Sequence, residues 1–145
     1  ALDWERDIPD CLNVRTCPNL AYDTASWGNH METLDVRGTP VEVQTMGSGP
    51  PLVYLHSEQF IARTGPFLEA LAARFRVIAP RMPGFGATKL PSDIRTVDDL
   101  AYLHLDLLQK LDLKHTTVVG ASLGGWVALE MAVRNTSSIA RLALI

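Results

Sequence analysis

The segment that most constrains this chain is residues 115–130, in which an extended β-branched run leads through a glycine-rich turn directly into a helical pattern. The turn has the sequence Gly120-x-Ser122-x-Gly124, and apolar residues dominate the sequence after it. A strand joined to a helix by so short a turn holds the serine hydroxyl at the tip of a sharp bend. We therefore expect strands and helices to alternate, with Ser122 at the end of a strand.

The composition is that of an ordinary globular domain. The 145 residues are 47% hydrophobic and 20% charged, which is one domain's worth of chain without a disorder signal. The net charge of −3 gives no reason to expect nucleic acid or an anionic membrane as a partner. No apolar run approaches the ~20 residues that span a bilayer, and the charged N-terminus lacks the apolar core of a signal peptide. We expect a cytoplasmic protein, with a processed secreted protein as the alternative.

Residues 1–30 differ from the rest of the chain, because they are polar and show no sustained period of a strand or a helix. We predict an irregular N-terminal extension there, and a regular domain over residues 31–145. Cys11 and Cys17 lie in the extension. Their spacing matches no zinc or redox pattern, so two unrelated thiols are favoured over a local disulfide.

Periodicity and breaker residues divide residues 31–145 into alternating elements. Two strands with apolar and polar residues in alternation are followed by short apolar strands of the kind that helices cover on both faces. The predicted strands are residues 33–37, 41–45, 52–56, 76–80, 116–120 and 139–145. The predicted helices are residues 67–75, 97–111 and 123–134, the first opened by Pro66 and the second by a capping box at Thr96 and Asp99. This order predicts an α/β fold with a largely parallel sheet and flanking helices. The third helix and the last strand are apolar enough to predict that both are buried.

The residue types in the turn suit nucleophilic catalysis. Glycine at positions 120 and 124 avoids side-chain clashes in the sharp bend, and Ser122 projects its hydroxyl beyond the strand ends. The backbone N–H of Leu123 lies at the start of the helix, where free donors and the helix dipole stabilise an oxyanion. The alternative is a glycine-rich turn of a dinucleotide-binding fold with an incidental serine. That alternative is weakened because no G-x-G-x-x-G pattern occurs.

Three blocks of sequence resemble the N-terminal half of an α/β-hydrolase domain over residues 31–145. They are Leu55-His56-Ser57-Glu58, the run from Ala79 to Gly86, and Gly120-Ala-Ser-Leu-Gly-Gly125. The resemblance implies that Ser122 is the nucleophile. It also implies an oxyanion hole formed by the Leu123 N–H and a second N–H just after the third strand, from Ser57 or Glu58. It implies no cofactor and no metal.

The chain departs from the family pattern at two positions. Ser57 stands where the family commonly has glycine, and Arg81 stands where an acidic residue is more usual. The dehalogenases and epoxide hydrolases of this family have an aspartate at the nucleophile position. The serine at position 122 therefore argues against a resemblance to those members.

The histidine and the acid that such a serine requires are missing from the sequence, because in this family they follow later strands. The four histidines are His30, His56, His104 and His115. His56 resembles the oxyanion-loop histidine of the family, and this resemblance implies a structural role. By position, His104 is expected to belong to the core or its boundary, and His115 to lie at the far end of the strand from Ser122. We expect none of them to act as the general base.

The sequence therefore predicts a serine hydrolase acting on an ester or related carbonyl substrate, with the histidine and acid supplied from elsewhere. One alternative is a non-catalytic, truncated hydrolase that serves as a binding module, and another is a carbon–carbon bond hydrolase or lactonase. A sheet that ends at the sixth strand leaves an apolar parallel edge uncovered. The expected partners are a small ester-like molecule and either the missing C-terminal half or a second copy of the chain.

Overall fold

The computed structural model describes residues 30–58, 64–85 and 88–145, with residue 30 described by its backbone alone. The strands are β1 His30–Val36, β2 Thr39–Met46, β3 Pro51–Leu55, β4 Arg76–Pro80, β5 Thr116–Gly120 and β6 Ile139–Leu144. The helices are α1 Gly65–Ala72, α2 Val97–Lys110 and α3 Leu123–Arg134. The predicted N-terminal extension, with Cys11 and Cys17, lies outside the described residues except for residue 30, which begins β1.

The six strands form one sheet in the order β1-β2-β4-β3-β5-β6. β1, β2 and β4 are antiparallel neighbours, whereas β4, β3, β5 and β6 run parallel to one another. The predicted α/β fold with a largely parallel sheet is confirmed. Because parallel strands end at a common edge, the segments that follow β3, β4, β5 and β6 all emerge at the same side of the sheet.

The first two strands are joined by a turn one residue earlier than the sequence suggests. Arg37 and Gly38 both have positive φ, 52° and 84°, and Val36 pairs with Thr39 across the turn. Two successive positive φ values define the tight hairpin turn whose twist matches that of the flanking strands.

Strand β3 lies inside the sheet and is covered on both faces. Val53 and Leu55 belong to the cluster built with α2 and α3, whereas Leu52 and Tyr54 belong to the cluster that contains Leu68 of α1. Successive strand residues point to opposite faces, so a strand between two helical layers has to be apolar throughout. The prediction of a strand buried on both faces is confirmed.

Helix α2 begins with the predicted capping box. The Thr96 side chain accepts a hydrogen bond from the Asp99 N–H at 3.3 Å, and the Asp99 carboxylate accepts one from the Thr96 N–H at 2.8 Å. These bonds satisfy backbone donors that the helix itself leaves unpaired. In the middle of the helix Leu103 and Leu107 are buried.

Helix α3 has an exposed outer face, so the prediction that the whole helix is buried is wrong. Trp126, Leu129 and Val133 are 56%, 44% and 79% exposed. Its other face packs on α2 and on strands β3, β5 and β6. A helix that is apolar on every side carries no signal for which side its neighbours cover. Within the described ranges no helix has the length and apolar content needed to cross a membrane.

Strand β6 is also more exposed than predicted. It stands at the end of the sheet and pairs only with β5 among the described strands. Leu144 and the following Ile145 are exposed. The apolar sequence of this strand is therefore not matched by burial in the described part of the chain.

His104 of α2 is buried. Its Nδ1 lies 2.7 Å from the Leu100 carbonyl oxygen, so this nitrogen carries the proton and donates it. Its Nε2 is buried without a hydrogen-bond partner among the described residues. Burial, opposed by the bond to Leu100, lowers the pKa of His104 from 6.5 to about 4, and the ring is neutral in the folded protein.

Replacing His104 with leucine is expected to reduce the acid sensitivity of the fold. The unfolded chain binds a proton at His104 below about pH 6.5, but the folded chain does so only below about pH 4. Above pH 6.5 the neutral His104 costs the folded protein no stability. As the pH falls towards 4, protonation of His104 in the unfolded chain lowers the free energy of unfolding, by roughly 3 kcal/mol at most. Denaturant titrations between pH 7 and 4.5 measure it. The control is His115→Asn, which changes an exposed residue whose φ of 51° asparagine tolerates. If the free energy of unfolding falls equally with pH in the His104 variant and in the unmodified protein, the predicted role of His104 is wrong.

Candidate active site

The turn between β5 and α3 contains only Ala121 and Ser122. Ser122 has φ 48° and ψ −114°, a conformation that non-glycine residues rarely adopt and that surrounding structure must hold. The Ala121 N–H donates to the Leu55 carbonyl at 3.0 Å, and the Ser122 N–H donates to the Ile145 carbonyl at 3.0 Å. The turn is therefore held from both sides, by β3 and by the residue after β6, with the Ser122 side chain exposed.

Two glycines make the close approach possible. A Cβ atom on Gly120 would lie 2.5 Å from the Gly124 carbonyl oxygen and 2.6 Å from the Gly125 Cα. A Cβ atom on Gly124 would overlap the Leu55 carbonyl group of β3. The absence of a side chain at Gly120 thus allows the start of α3 to pack against it, as expected from the sequence. The absence of one at Gly124 does the same for the end of β3, a contact that the sequence does not indicate.

The Ser122 hydroxyl donates to the carboxylate of Glu58, with Oγ 2.9 Å from Oε2 and 3.2 Å from Oε1. The Leu123 N–H donates to the same Oε2 at 3.3 Å. Glu58 follows β3, and the parallel pairing of β3 with β5 places the two strand ends side by side. The side chain of Glu58 is therefore the group that contacts the serine.

The hydrogen bonds to Glu58 favour its charged form. Its own backbone N–H makes the largest contribution, followed by the Ser122 hydroxyl and the Leu123 N–H, and together they lower the pKa of the carboxyl group. A carboxylate with a lowered pKa is a stable anion and a weak base. The electrostatic environment of this turn accordingly suits a negative charge, as the start of a helix generally does.

His56 lies near the turn, but both of its ring nitrogens are bound to the backbone. Nδ1 lies 2.7 Å from the Ser57 carbonyl oxygen and donates to it, and Nε2 accepts the Met82 N–H at 2.9 Å. Burial lowers the pKa of His56, although its bond to Ser57 opposes the effect. A neutral ring is what these two bonds require, because Nε2 has to accept. His56 therefore joins the loops after β3 and β4 and has no nitrogen left for Ser122.

The other histidines are no better placed. His104 is inside the core, with Nδ1 bound to its own helix. His115 is exposed just before β5, separated from the serine turn by a strand of five residues, about 16 Å. The side chain of His30 lies outside the described residues. No described histidine hydrogen-bonds to Ser122, and in the described ranges no group of three His, Cys, Asp or Glu side chains could hold a metal ion.

Two of the residues predicted to form the oxyanion hole, Leu123 and Glu58, are in contact at this turn, and their role in the hole stays a prediction. Leu123 presents its N–H at the start of α3, and Ser57 and Glu58 lie in the segment after β3. The sequence suggests a backbone N–H of Glu58 as a donor, whereas the structure shows the Glu58 carboxylate accepting the Leu123 N–H. Arg81, the second departure from the family pattern, pairs with Glu42 of β2 at 3.1 Å.

Comparison with known proteins agrees with this architecture. A sequence model of the alpha/beta hydrolase fold matches residues 51–145. A 2-hydroxymuconate semialdehyde hydrolase of Pseudomonas sp. (strain CF600) is 32% identical over 119 residues, covering 74% of this chain and 40% of that protein. A pimeloyl-[acyl-carrier protein] methyl ester esterase of Chromobacterium violaceum is 38% identical over 108 residues, covering 71% of this chain and 39% of that protein.

A solved structure has the same arrangement. The epoxide hydrolase CorEH superposes with a TM-score of 0.75 at 29% identity, covering 80% of this chain and 41% of that one. The chain thus spans about 40% of the length of these relatives.

Replacing Gly124 with alanine is expected to destabilise the fold far more than the same change at Gly125. The methyl group on residue 124 meets the backbone of β3, so α3 has to retract at a cost of about 3 kcal/mol. At residue 125 the methyl group lies 3.2 Å from the Gly120 carbonyl oxygen, and the higher helix propensity of alanine offsets this by about 1 kcal/mol. Free energies of unfolding from denaturant titration compare the two. Similar values for both variants would contradict the close approach.

Proposed function

The chain belongs to the α/β-hydrolase family, and on that basis we propose that Ser122 is the nucleophile of a hydrolase acting on an ester or related carbonyl compound. The observation that carries the proposal is the backbone of Ser122, whose combination of φ 48° and ψ −114° holds the hydroxyl in a two-residue turn at the start of a helix. Strained backbone of this kind persists where surrounding contacts enforce it, and it is found preferentially at functional sites.

In the proposed reaction the Ser122 oxygen attacks the carbonyl carbon while a general base takes the hydroxyl proton. The carbonyl oxygen becomes an oxyanion, which the Leu123 N–H stabilises together with an N–H of Glu58 or Ser57. The intermediate then expels the leaving group, which takes up the proton, and leaves an acyl group on Ser122. Water releases the acid by the same steps.

The general base and its acid partner are proposed to come from polypeptide outside the described residues. Both nitrogens of His56 are bound to backbone groups, and His104 and His115 are remote from the turn. The relatives are about two and a half times as long as the matched span. A longer chain is therefore one source of these groups, and a partner molecule is another.

Two substrate classes are candidates, and their reactions share the same first step. The esterase of Chromobacterium violaceum supports ester hydrolysis, and the semialdehyde hydrolase of Pseudomonas supports carbon–carbon bond hydrolysis. The structural similarity to an epoxide hydrolase supports the fold more than the reaction, because Ser122 stands where such enzymes are expected to have aspartate. A non-catalytic binding role is the remaining alternative, supported by the missing contact between Ser122 and a described histidine.

The exposed edge of β6 is proposed to pair with further polypeptide, either a continuation of the chain or a second copy. Among the described strands β6 pairs on one side only, and the apolar residues at its end are exposed, and both features favour pairing. If no continuation is present, the 145-residue chain is expected to self-associate in sedimentation experiments. Lysine at Ala143, which is exposed on β6, is expected to reduce association, and lysine at Ala73, exposed after α1, is the control. A monomer at all concentrations would contradict the proposal.

The proposed nucleophile is tested with a fluorophosphonate probe, which reacts with activated serine hydroxyls. Labelling of the protein is expected to fall to background in Ser122→Ala, because the attacking oxygen is gone. The variant Ser92→Ala, which removes an exposed serine between β4 and α2, is expected to label normally. Mass spectrometry of the labelled peptide identifies the modified residue.

Both the 145-residue chain and a longer form of the protein are compared in this assay. Labelling restricted to the longer form would place the base in the additional sequence. Labelling that persists in Ser122→Ala, or its absence from every form, would refute the nucleophile.

A further inference from the structure

The Glu58 carboxylate makes the contacts that an oxyanion is expected to make at this turn. It accepts the Leu123 N–H at 3.3 Å and the Ser122 hydroxyl at 2.9 Å. We propose that Glu58 is an internal ligand of the oxyanion site, that a substrate carbonyl oxygen has to displace it before Ser122 attacks, and that its charge selects neutral substrates over anionic ones. This inference rests on the proposed function of Ser122.

The directions of the hydrogen bonds support competition rather than assistance. An ionised carboxylate only accepts hydrogen bonds, so the Leu123 N–H and the Ser122 O–H both donate to it. A donor engaged with Glu58 is not available to a substrate oxygen. The Ser122 hydroxyl also donates its proton to the hydrogen bond with Glu58, and no described histidine hydrogen-bonds to it. In this arrangement the site is folded but occupied by the protein's own side chain.

The bound side chain is able to leave. Glu58 is exposed, so its carboxylate exchanges these hydrogen bonds for water. The bond from Leu123 is long, at 3.3 Å, and is the weaker of the two. Once displaced, the carboxylate stays within a side chain's length of the reacting atoms. A substrate that carries its own negative charge there meets a like charge, whereas a neutral ester does not.

An opposite role is also chemically conceivable, because a carboxylate can act as a general base towards a serine hydroxyl. The two roles predict opposite effects of removing the charge. If Glu58 competes for the site, its replacement speeds the reaction of Ser122. If Glu58 is the base, its replacement slows that reaction.

The first test measures the rate of phosphonylation of Ser122 by an alkyl fluorophosphonate. The rate is expected to rise from the unmodified protein to Glu58→Gln, whose neutral amide is a weaker competitor, and again to Glu58→Ala, which has no competitor. The rise to alanine is expected to be about tenfold, the size of one lost hydrogen bond to a charged group. The control, Glu69→Gln, removes the same charge from an exposed position on α1 and is expected to leave the rate unchanged.

A probe of the same length that ends in a carboxylate tests the charge selection. The unmodified protein is expected to react with it more slowly than with the neutral probe, and Glu58→Gln is expected to narrow the difference. A preference that Glu58→Gln leaves unchanged would remove charge selection from the proposal. Equal or slower labelling in both Glu58 variants would overturn the proposal as a whole.

The second test does not depend on serine reactivity. The amide resonance of Leu123 in ¹⁵N-labelled protein is expected to titrate with Glu58, with a midpoint below the ordinary glutamate pKa of 4.5. The other groups bound to this carboxylate, its own N–H and the Ser122 hydroxyl, do not titrate in that range. The titration is expected to vanish in Glu58→Gln and to persist in Glu69→Gln.

The two tests distinguish the proposed role of Glu58 as an internal ligand from the proposed role of Ser122 as the nucleophile. If Leu123 titrates with Glu58 but no form of the protein is labelled, the internal ligand stands and the nucleophile fails. If labelling occurs but Leu123 does not respond to Glu58, the nucleophile stands and the internal ligand fails.

Discussion

The close contact between the first turn of α3 and the end of β3 is the constraint on which the site depends. At Gly124 the helix backbone touches the Leu55 carbonyl group, and no side chain fits between them. Because the helix starts so near the sheet, only two residues connect it to β5, and Ser122 takes a strained backbone conformation. The same contact brings the serine beside the loop after β3, where Glu58 lies.

The two polar side chains nearest the turn have different tasks: His56 holds the backbone together, and Glu58 places a negative charge beside the serine. His56 is buried and uses both ring nitrogens to join the backbones of two loops, an arrangement that requires a neutral ring, and burial lowers its pKa in the direction that favours this form. Glu58 is exposed and charged, and its pKa is lowered by donors that converge on it. The histidine near the turn thus serves the fold, and the anion contacts the serine.

One end of the exposed strand β6 is bonded to this turn. The outer face of α3 and the edge strand β6 both follow Ser122 in the chain, and Ile145 directly after β6 accepts the Ser122 N–H and donates to the Gly120 carbonyl. Any polypeptide that pairs with β6 is therefore linked to the turn through two backbone hydrogen bonds.

Much of the local structure could be predicted from the sequence, because its causes lie within a few residues. The bounds of β4, β5 and α3, the capping box at Thr96, and the strand–turn–helix around Ser122 all follow from short-range patterns. The sequence indicates the family for the same reason. It does not indicate which side of α3 is covered or how exposed β6 is, since an apolar residue looks the same whether or not a neighbour packs on it.

The contact between Ser122 and Glu58 required the tertiary structure, because 64 residues separate the pair. Parallel pairing of β3 with β5 explains why the two segments meet, and that part could be anticipated from the order of elements. Whether Glu58 offers its backbone or its carboxylate depends on the side-chain conformation. The sequence by itself thus determined the turn and the serine at its tip. Only the packing of α3 against β3 decided which group faces that serine, because contacts between distant residues are set by how the layers fit together.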